Sequence, residues 1–392
     1  MNKCMEVSDQ NFMPVYNRYP IAIEKGDGVY LFDNEGKKYL DFAAGIAVFA
    51  FGYNNNEYND ALKEQIDKII HTSNLYYNVP AADAAEKFNK ASGMDRVFFT
   101  NSGTEAIEGA IKLARKYAYN KTKTNDSEII SMNHSFHGRS TGALAVTGQP
   151  KYQEAFRPLL MNGVVFADFN DLDSVKAKIS DKTCAIIVEP IQGEGGLYPA
   201  KKEFLQGLRA LCDENDIVLI FDEIQCGMGR TGSMFAYQDY GVRPDIMTSA
   251  KALGCGVPVG AFAATERVAN AFELGDHGTT YGFNPLVTAA VSKVFDMFES
   301  YQLIDHVKEV SAYLEEKLDE LVKDYDFVIE RRGKGLMQGL ELSIPAKDII
   351  GKAMENGLII ISAGSNILRF VPPLVITKDD VDAMITILKK CL

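Results

Sequence analysis

The sequence predicts an α/β fold in which a central, mainly parallel sheet is covered by helices. Between residues 95 and 265, short apolar segments alternate with stretches of helical periodicity, a pattern typical of parallel strands joined by crossover helices. The chain has 392 residues, of which 46% are hydrophobic, enough for a large core and two domains. Glycine-rich polar segments directly follow several of the apolar ones, where α/β sheets carry their chemistry.

The predicted elements begin with a β-hairpin formed by residues 29–33 and 38–42, which is followed by an amphipathic helix over residues 56–70. Buried strands of the central sheet are predicted at residues 97–99, 129–130, 185–188, 217–221 and 261–264. Beyond Pro285 one long helical stretch reaches Leu321 and leads into a smaller α+β segment. We expect residues 56–285 to form a large domain, and residues 1–55 and 286–392 to form a smaller one together.

Composition and charge argue against several classes of protein. The formal net charge is −12 and no block of basic residues occurs, which argues against non-specific nucleic-acid binding. The first residues lack the apolar segment of a signal peptide, and no run of 18 apolar residues occurs. Cys184 and Cys212 lie in apolar segments and the cysteines show no paired spacing. We therefore expect buried, reduced thiols and a cytoplasmic protein.

Lys251 and Asp222 are the first candidates for chemistry. Lys251 lies among small residues and is followed by three glycines and a proline, whereas Asp222 ends the apolar strand 217–221. A lysine and a carboxylate on nearby loops can hold the two ends of a pyridine cofactor. The lysine forms a Schiff base with the aldehyde, and the carboxylate keeps the ring nitrogen protonated. The alternative is an ordinary lysine on a loop.

A phosphate site is predicted where a helix begins after the strand at residues 97–100. Ser102 and Glu105 have the spacing of a capping box. The free N–H groups and the positive end of the helix dipole also favour a dianion, and Gly103 leaves room for its approach. The alternative is a helix cap with no ligand.

Further candidates follow other predicted strands. Phe136 could stack on a flat ring and Arg139 could bind a carboxylate, unless they are a core phenylalanine and a solvated arginine. A metal site at His134 and His137 is disfavoured because no third ligand is evident. Glu194 lies in a loop rich in glycine and carboxylates and could pair with an arginine elsewhere, which Arg369 supplies.

The segment Gly227-Met-Gly-Arg-Thr-Gly232 matches the G-x-G-x-x-G motif of dinucleotide-binding folds. In those folds the first glycine comes directly at the strand end and a long helix follows. Here residues 222–226 intervene, and the segment 233–240 is short. A nicotinamide-dependent enzyme is therefore disfavoured.

In combination, the motifs resemble those of class III pyridoxal-phosphate-dependent aminotransferases. These enzymes have fold type I of the pyridoxal-phosphate-dependent enzymes. The resemblance extends from Gly26 to about Leu374. The motifs that carry it are Tyr39-Leu-Asp-Phe, His71-Thr-Ser-Asn, Asn101-Ser-Gly-Thr-Glu-Ala, Phe136-His-Gly-Arg, Asp222-Glu-Ile-Gln, Ala250-Lys-Ala-Leu-Gly and Asn284-Pro-Leu.

The resemblance implies a role for each candidate in holding pyridoxal 5'-phosphate. Lys251 would carry the cofactor as an internal aldimine and move the proton, and Asp222 would pair with the pyridinium. The other cofactor contacts would come from Phe136 (ring stacking), Gln225 (ring hydroxyl), Ser102, Gly103 and Thr104 (phosphate), and Thr280 (phosphate, from a partner subunit). The resemblance thus implies a homodimer with shared active sites.

The same resemblance implies small-molecule substrates and no metal. Arg139, with Thr279 nearby, would take the substrate carboxylate, and Arg369 would bind the α-carboxylate of glutamate or 2-oxoglutarate, with Glu194 as its partner. The implied reaction moves the δ-amino group of N2-acetylornithine to 2-oxoglutarate. N-succinyl-diaminopimelate, ornithine or another ω-amino acid is the alternative donor, and a cofactor-binding regulator without turnover is an alternative of another class. Departures from the family's usual residues are Phe49, Ile107, Cys255 and Phe283.

Overall fold

The structure, a computed structural model, describes residues 3–392. Its strands are β1 (Ile23–Asp27), β2 (Tyr30–Asp33), β3 (Lys38–Asp41), β4 (Arg96–Thr100), β5 (Glu128–Met132), β6 (Val164–Ala167), β7 (Thr183–Val188), β8 (Ile191–Gln192), β9 (Tyr198–Pro199), β10 (Val218–Asp222), β11 (Ile246–Ser249), β12 (Gly260–Ala264), β13 (Val328–Lys334), β14 (Met337–Leu342), β15 (Leu358–Ile359), β16 (Ile361–Ser362) and β17 (Ile367–Phe370). Its α-helices are α1 (Lys3–Asn11), α2 (Ala44–Ala47), α3 (Asn56–Lys68), α4 (Val79–Ser92), α5 (Gly103–Thr122), α6 (Thr141–Ala145), α7 (Pro150–Gln153), α8 (Leu172–Lys176), α9 (Lys202–Asn215), α10 (Ala236–Tyr240), α11 (Glu266–Ala269), α12 (Pro285–Ser300), α13 (Leu303–Asp324), α14 (Ala346–Glu355) and α15 (Lys378–Leu388).

The central sheet has seven strands in the order β4-β12-β11-β10-β7-β5-β6. Strand β12 runs antiparallel to both of its neighbours, and the other pairs are parallel. Every residue of β7, β10, β11 and β12 is buried, because helices cover both faces of the sheet and leave apolar side chains no solvent-facing side. The prediction of a mainly parallel central sheet is confirmed.

Two smaller four-stranded sheets flank the central one. The predicted hairpin is present as β2 and β3, which pair antiparallel, and β3 also pairs with β15 from the C-terminal part of the chain. The other small sheet has the order β13-β14-β17-β16. The pairing of β3 with β15 supports one small domain built from both ends of the chain, and the predicted boundaries after residues 55 and 285 stay predictions.

The structure differs from the sequence-based expectations at two helices. The single helical stretch predicted after Pro285 consists of α12 and α13, since Gln302 has a left-handed backbone (φ 48°) that interrupts the helical path. Helix α3 ends at Lys68, so Ile69 and Ile70 of the predicted helix lie beyond its end, and these two residues and Ile66 are about half-exposed. That apolar stripe therefore faces away from the core of the chain.

Two strands of the central sheet, β6 and β11, were not predicted from the sequence. Cys184 and Cys212 are buried, as predicted. Within residues 3–392, no helix combines the length and the apolar character that crossing a membrane requires.

Candidate active site

A cavity of about 510 Å³ lies at the carboxyl edge of the central sheet. Carboxyl ends of parallel strands meet at one edge, so the loops after them converge there. Most of the predicted site residues line this cavity: Ser102, Gly103, Thr104, Phe136, Arg139, Glu194, Asp222, Gln225 and Lys251. Arg369, Thr279 and Thr280 do not line it.

Asp222 is the last residue of β10, and its side chain is only 4% exposed. One carboxylate oxygen lies 2.7 Å from Nδ1 of the buried His137, and the other accepts hydrogen bonds from Thr248 Oγ1 (3.2 Å) and the Ile224 amide (3.0 Å). Three partners on three segments fix the orientation of this carboxylate.

His137 is a site residue that the sequence did not reveal in this role, since it was considered only as a metal ligand. Its place directly after Phe136, on a loop that follows β5, is the signal that could have found it.

Lys251 follows β11 and begins a short 3₁₀ turn, with a left-handed backbone (φ 49°). A non-glycine residue in this region is strained, and such strain persists only where the surrounding structure holds it. Burial lowers the pKa of Lys251, and Arg369 lowers it further, whereas the carboxylates of Glu194, Asp222 and Glu189 oppose the change. A lowered pKa raises the fraction of free amine near neutral pH, and the free amine is the nucleophile.

Helix α5 begins at the cavity with Ser102 as its N-cap, and the reciprocal bond of the predicted capping box, from the Ser102 amide to Glu105, is replaced by one from the Asn101 amide. The Ser102 hydroxyl accepts a hydrogen bond from the Glu105 amide (3.3 Å), and the Glu105 carboxylate accepts one from the Asn101 amide (2.9 Å). A Cβ atom at Gly103 would lie 2.9 Å from the Ile224 side chain, so any larger residue would have to displace that side chain. The free N–H groups of the first turn form a binding site for an anion.

The opposite end of the cavity carries an ion pair between Glu194 and Arg369. Arg369 lies in β17, its side chain is 4% exposed, and its guanidinium contacts both carboxylate oxygens of Glu194, one of them at 3.5 Å. Burial alone would raise the pKa of Glu194, but Arg369 holds it below its usual value, with help from Lys251. Gln225 accepts a hydrogen bond from Arg369 and donates one to Glu194, both at 3.3 Å.

Arg139 and the two threonines lie at the margins of the site. The Arg139 side chain is exposed, and its guanidinium carbon lies 4.0 Å from the centre of the Tyr152 ring and 5.5 Å from that of Phe136. Thr279 accepts a hydrogen bond from the Gly282 amide (3.0 Å), and Thr280 is exposed to solvent. Within one chain, neither threonine reaches the cavity.

Glu189 is a second residue that the sequence analysis missed, although it directly follows β7. Its buried carboxylate lines the cavity and accepts hydrogen bonds from the Phe136 amide (3.0 Å) and the Gly193 amide (3.4 Å). Burial, together with the nearby charge of Asp222, raises its pKa well above the ordinary value. Glu189 thus holds the Phe136 segment and the Glu194 loop in place at one point.

Comparison with known proteins agrees with this arrangement. The family model described as Aminotransferase class-III matches residues 12–392. An acetylornithine aminotransferase from Clostridium acetobutylicum is 49% identical over 387 residues, which cover 98% of this chain and 100% of that protein. The acetylornithine aminotransferase of Methanocaldococcus jannaschii is 47% identical over 384 residues, 98% of this chain and 96% of that protein.

Solved structures also match over nearly the whole chain. An ornithine aminotransferase from Toxoplasma gondii superposes with a TM-score of 0.95 at 30% identity, covering 99% of this chain and 93% of that one. An N-acetylornithine aminotransferase from Stenotrophomonas maltophilia has a TM-score of 0.85 at 36% identity, covering 99% and 98%. The chain therefore belongs to the class-III aminotransferases, the family that its motifs predicted.

Proposed function

We propose that this aminotransferase moves the δ-amino group of N2-acetyl-L-ornithine to 2-oxoglutarate, giving N-acetyl-L-glutamate 5-semialdehyde and L-glutamate, as a step of arginine biosynthesis. Relatives between 46% and 49% identical over nearly the full chain are named acetylornithine aminotransferases. Among the solved structures, acetylornithine aminotransferases are 30% and 36% identical, and ornithine aminotransferases are 27–30% identical. This difference favours the acetylated donor over ornithine.

The residues around the cavity fit pyridoxal 5'-phosphate. Asp222 offers an anionic partner for a protonated ring nitrogen, Lys251 offers a free amine for the aldehyde, and the first turn of α5 offers N–H groups for the phosphate. When bound, the cofactor supplies an electron sink for the carbon that loses its proton. The chain's own part is to hold that cofactor, with Phe136 against its ring, and to accept and return a proton at Lys251 Nζ.

The observation that carries the proposal is the Glu194–Arg369 ion pair beside Lys251. A donor that reacts through its δ-amine brings no carboxylate next to the reacting carbon, so an arginine there must be neutralised. Glutamate and 2-oxoglutarate do bring a carboxylate, which can replace that of Glu194 on Arg369. Because opening a buried ion pair without compensation costs several kcal/mol, the incoming carboxylate must take the place of Glu194 directly.

We propose a homodimer on the basis of the surface beside Thr279 and Thr280. The Thr279–Gly282 loop is held by Asn74, whose amide donates to the carbonyls of Thr279 (3.0 Å) and Gly282 (3.2 Å). Beside it, Leu75 is 88% exposed and Tyr77 fully exposed. An apolar surface of this kind marks an interface. A second copy would cover it and complete the phosphate end with Thr280 of the partner subunit.

The donor is tested by steady-state assays with acetylornithine, N-succinyl-diaminopimelate, ornithine and 4-aminobutyrate, each with 2-oxoglutarate. We expect the kcat/KM for acetylornithine to exceed the others by about tenfold or more, since one binding site discriminates by this order. A higher kcat/KM for another donor would refute acetylornithine as the substrate. A regulator without turnover would show no change of the cofactor absorption band on addition of donor and no recovery with 2-oxoglutarate.

A further inference from the structure

Arg230 is a buried arginine to which the chemistry described so far gives no role. It belongs to the G-x-G-x-x-G segment between β10 and α10, and it is 1% exposed. No carboxylate contacts its guanidinium among the hydrogen bonds and ion pairs of residues 3–392, and Nη2 lacks a partner. Burial lowers its pKa to about 9, so the side chain still carries its charge at neutral pH. Burying a charge without an ionic partner costs free energy, which makes the hydrogen bonds that Arg230 does form candidates for a functional role.

The two carbonyl acceptors of Arg230 lie at one end of the antiparallel strand pair β14–β17, which contains Arg369. Nη1 donates to the carbonyl of Leu336 (3.1 Å), directly before β14, and to the carbonyl of Pro372, just after β17. Strands β14 and β17 are neighbours, and Gly339 pairs with Arg369. The backbone adds another link, because the Leu336 amide donates to the Arg230 carbonyl (2.9 Å). The close approach requires Gly335, where a Cβ atom would lie 2.5 Å from that carbonyl.

Arg230 also lies on the same loop as Gln225, a hydrogen-bond partner of Arg369. The loop begins after Asp222 and contains Gln225, which shares hydrogen bonds with Arg369 and Glu194. Arg369 comes from the small β13-β14-β17-β16 sheet, whereas Glu194, Gln225 and Lys251 come from loops of the central sheet. The guanidinium of Arg230 therefore links the two sheets whose relative placement sets the position of Arg369 behind Glu194.

We propose that Arg230 is a positioning residue that sets the place of Arg369 and so governs binding of the keto-acid carboxylate. The inference depends on the proposed role of Arg369. A displacement of about 1 Å in a positioning group can cost up to about 100-fold in rate. Replacing Arg230 therefore weakens the half-reaction with 2-oxoglutarate and spares the half-reaction with the δ-amine donor, in which Arg369 is neutralised by Glu194.

The experiment measures the two half-reactions separately, by single-turnover kinetics with the cofactor-loaded enzyme, in R230M, R230K, R369A and R230M/R369A variants. We expect the 2-oxoglutarate concentration for half-saturation to rise about tenfold in R230M, with the limiting rate and the donor half changed less than about threefold. R230K, which keeps a donor, should fall between R230M and the parent enzyme, and it carries the test if R230M does not fold. The matched control is R209M, which removes a mostly buried arginine that pairs with Asp213 and Asp245 and should leave both halves unchanged.

The double variant separates a positioning role from a structural one. If Arg230 acts through Arg369, R230M/R369A should match R369A in the 2-oxoglutarate half. Equal losses in both halves for R230M, or losses that add in the double variant, would overturn the inference. An R369A variant with an intact 2-oxoglutarate half would refute the proposed role of Arg369 itself, and this inference with it.

Discussion

The two ends of the cavity hold their charged side chains in different ways. At the cofactor end, Asp222 is 4% exposed and bonded on both oxygens, and its partners belong to the central sheet and its loops. At the arginine end, Arg369 is as deeply buried, but its partner Glu194 has a side chain that is 27% exposed and faces the cavity. One end thus holds a fixed charge, whereas the other holds a charge whose partner can be exchanged. The first suits a group that stays bound, and the second suits substrates that alternate.

The largest expected effect is at Lys251, which both ends need. Lys251→Ala should abolish turnover and leave the fold intact, because in the proposed reaction the amine is both the covalent partner of the cofactor and the group that moves the proton. Steady-state assays measure the loss of turnover, and circular dichroism checks that the fold is intact. Substantial residual transamination in the folded variant would remove Lys251 from the centre of the site.

The exchangeable end is tested next by Arg369→Ala. Truncating one partner of a buried charge pair costs about 2–5 kcal/mol, so we expect the 2-oxoglutarate half-reaction to slow by about 30-fold or more. The donor half should change much less, because there the arginine is only neutralised. Single-turnover measurement of each half provides the comparison, and equal losses would mean that the arginine is structural.

The fixed end is tested by Asp222→Asn, which keeps the shape of the side chain and removes its charge. A charge-assisted hydrogen bond contributes about 1.5–3 kcal/mol, so kcat should fall by about tenfold or more while cofactor remains bound. Unlike the loss at Arg369, this one should be equal in both half-reactions. If kcat stays near that of the parent enzyme, Asp222 is not the partner of the ring nitrogen.

Glu194→Ala should have a smaller effect than Arg369→Ala, and it should impair the half-reaction with the δ-amine donor instead of the one with the keto acid. With Arg369 left unpaired, glutamate should react faster and the δ-amine donor more slowly, which shifts the ratio of the two kcat/KM values by about tenfold. The measurement is that ratio in the variant and in an exposed control, Glu203→Ala on α9. An unchanged ratio would mean that Glu194 does not govern the choice of substrate.

The smallest effect concerns the pKa of Lys251. The Glu194 carboxylate favours the charged ammonium and so raises this pKa against the effect of burial. Glu194→Gln should therefore lower the pKa of Lys251 further, and the free amine should persist to lower pH. The rate at which cofactor-free enzyme combines with pyridoxal phosphate, followed across pH, should show a lower midpoint than in Glu203→Gln. A midpoint that rises would contradict the assigned direction.

The sequence predicted best what depends on neighbours along the chain. The strand that ends at Asp222 and the cap at Ser102 have local signatures, so both appear as predicted. The position of His137 after β5 could have placed it at the site, but its pairing with Asp222 depends on which strands are neighbours, and the sequence pattern does not give that order. The break between α12 and α13 at Gln302 could not be predicted, because no glycine or proline lies there. The exposure of Ile66, Ile69 and Ile70 could not be predicted either, because an apolar stripe at helical spacing has the same pattern whether or not it packs against the core.

The antiparallel strand β12 has a consequence for how the molecule is made. It inserts between β4, the first strand of the central sheet along the chain, and β11, so Thr100 pairs with Gly260. The start of α5 and the loop of Lys251 are thus brought together by the pairing of the first strand with the last. Pairings between such distant segments form slowly, and a chain emerging from the ribosome cannot form this one until residue 264 has been released. A nascent chain shorter than that leaves both edges of β4 unpaired and lacks the strand that brings the start of α5 next to the Lys251 loop.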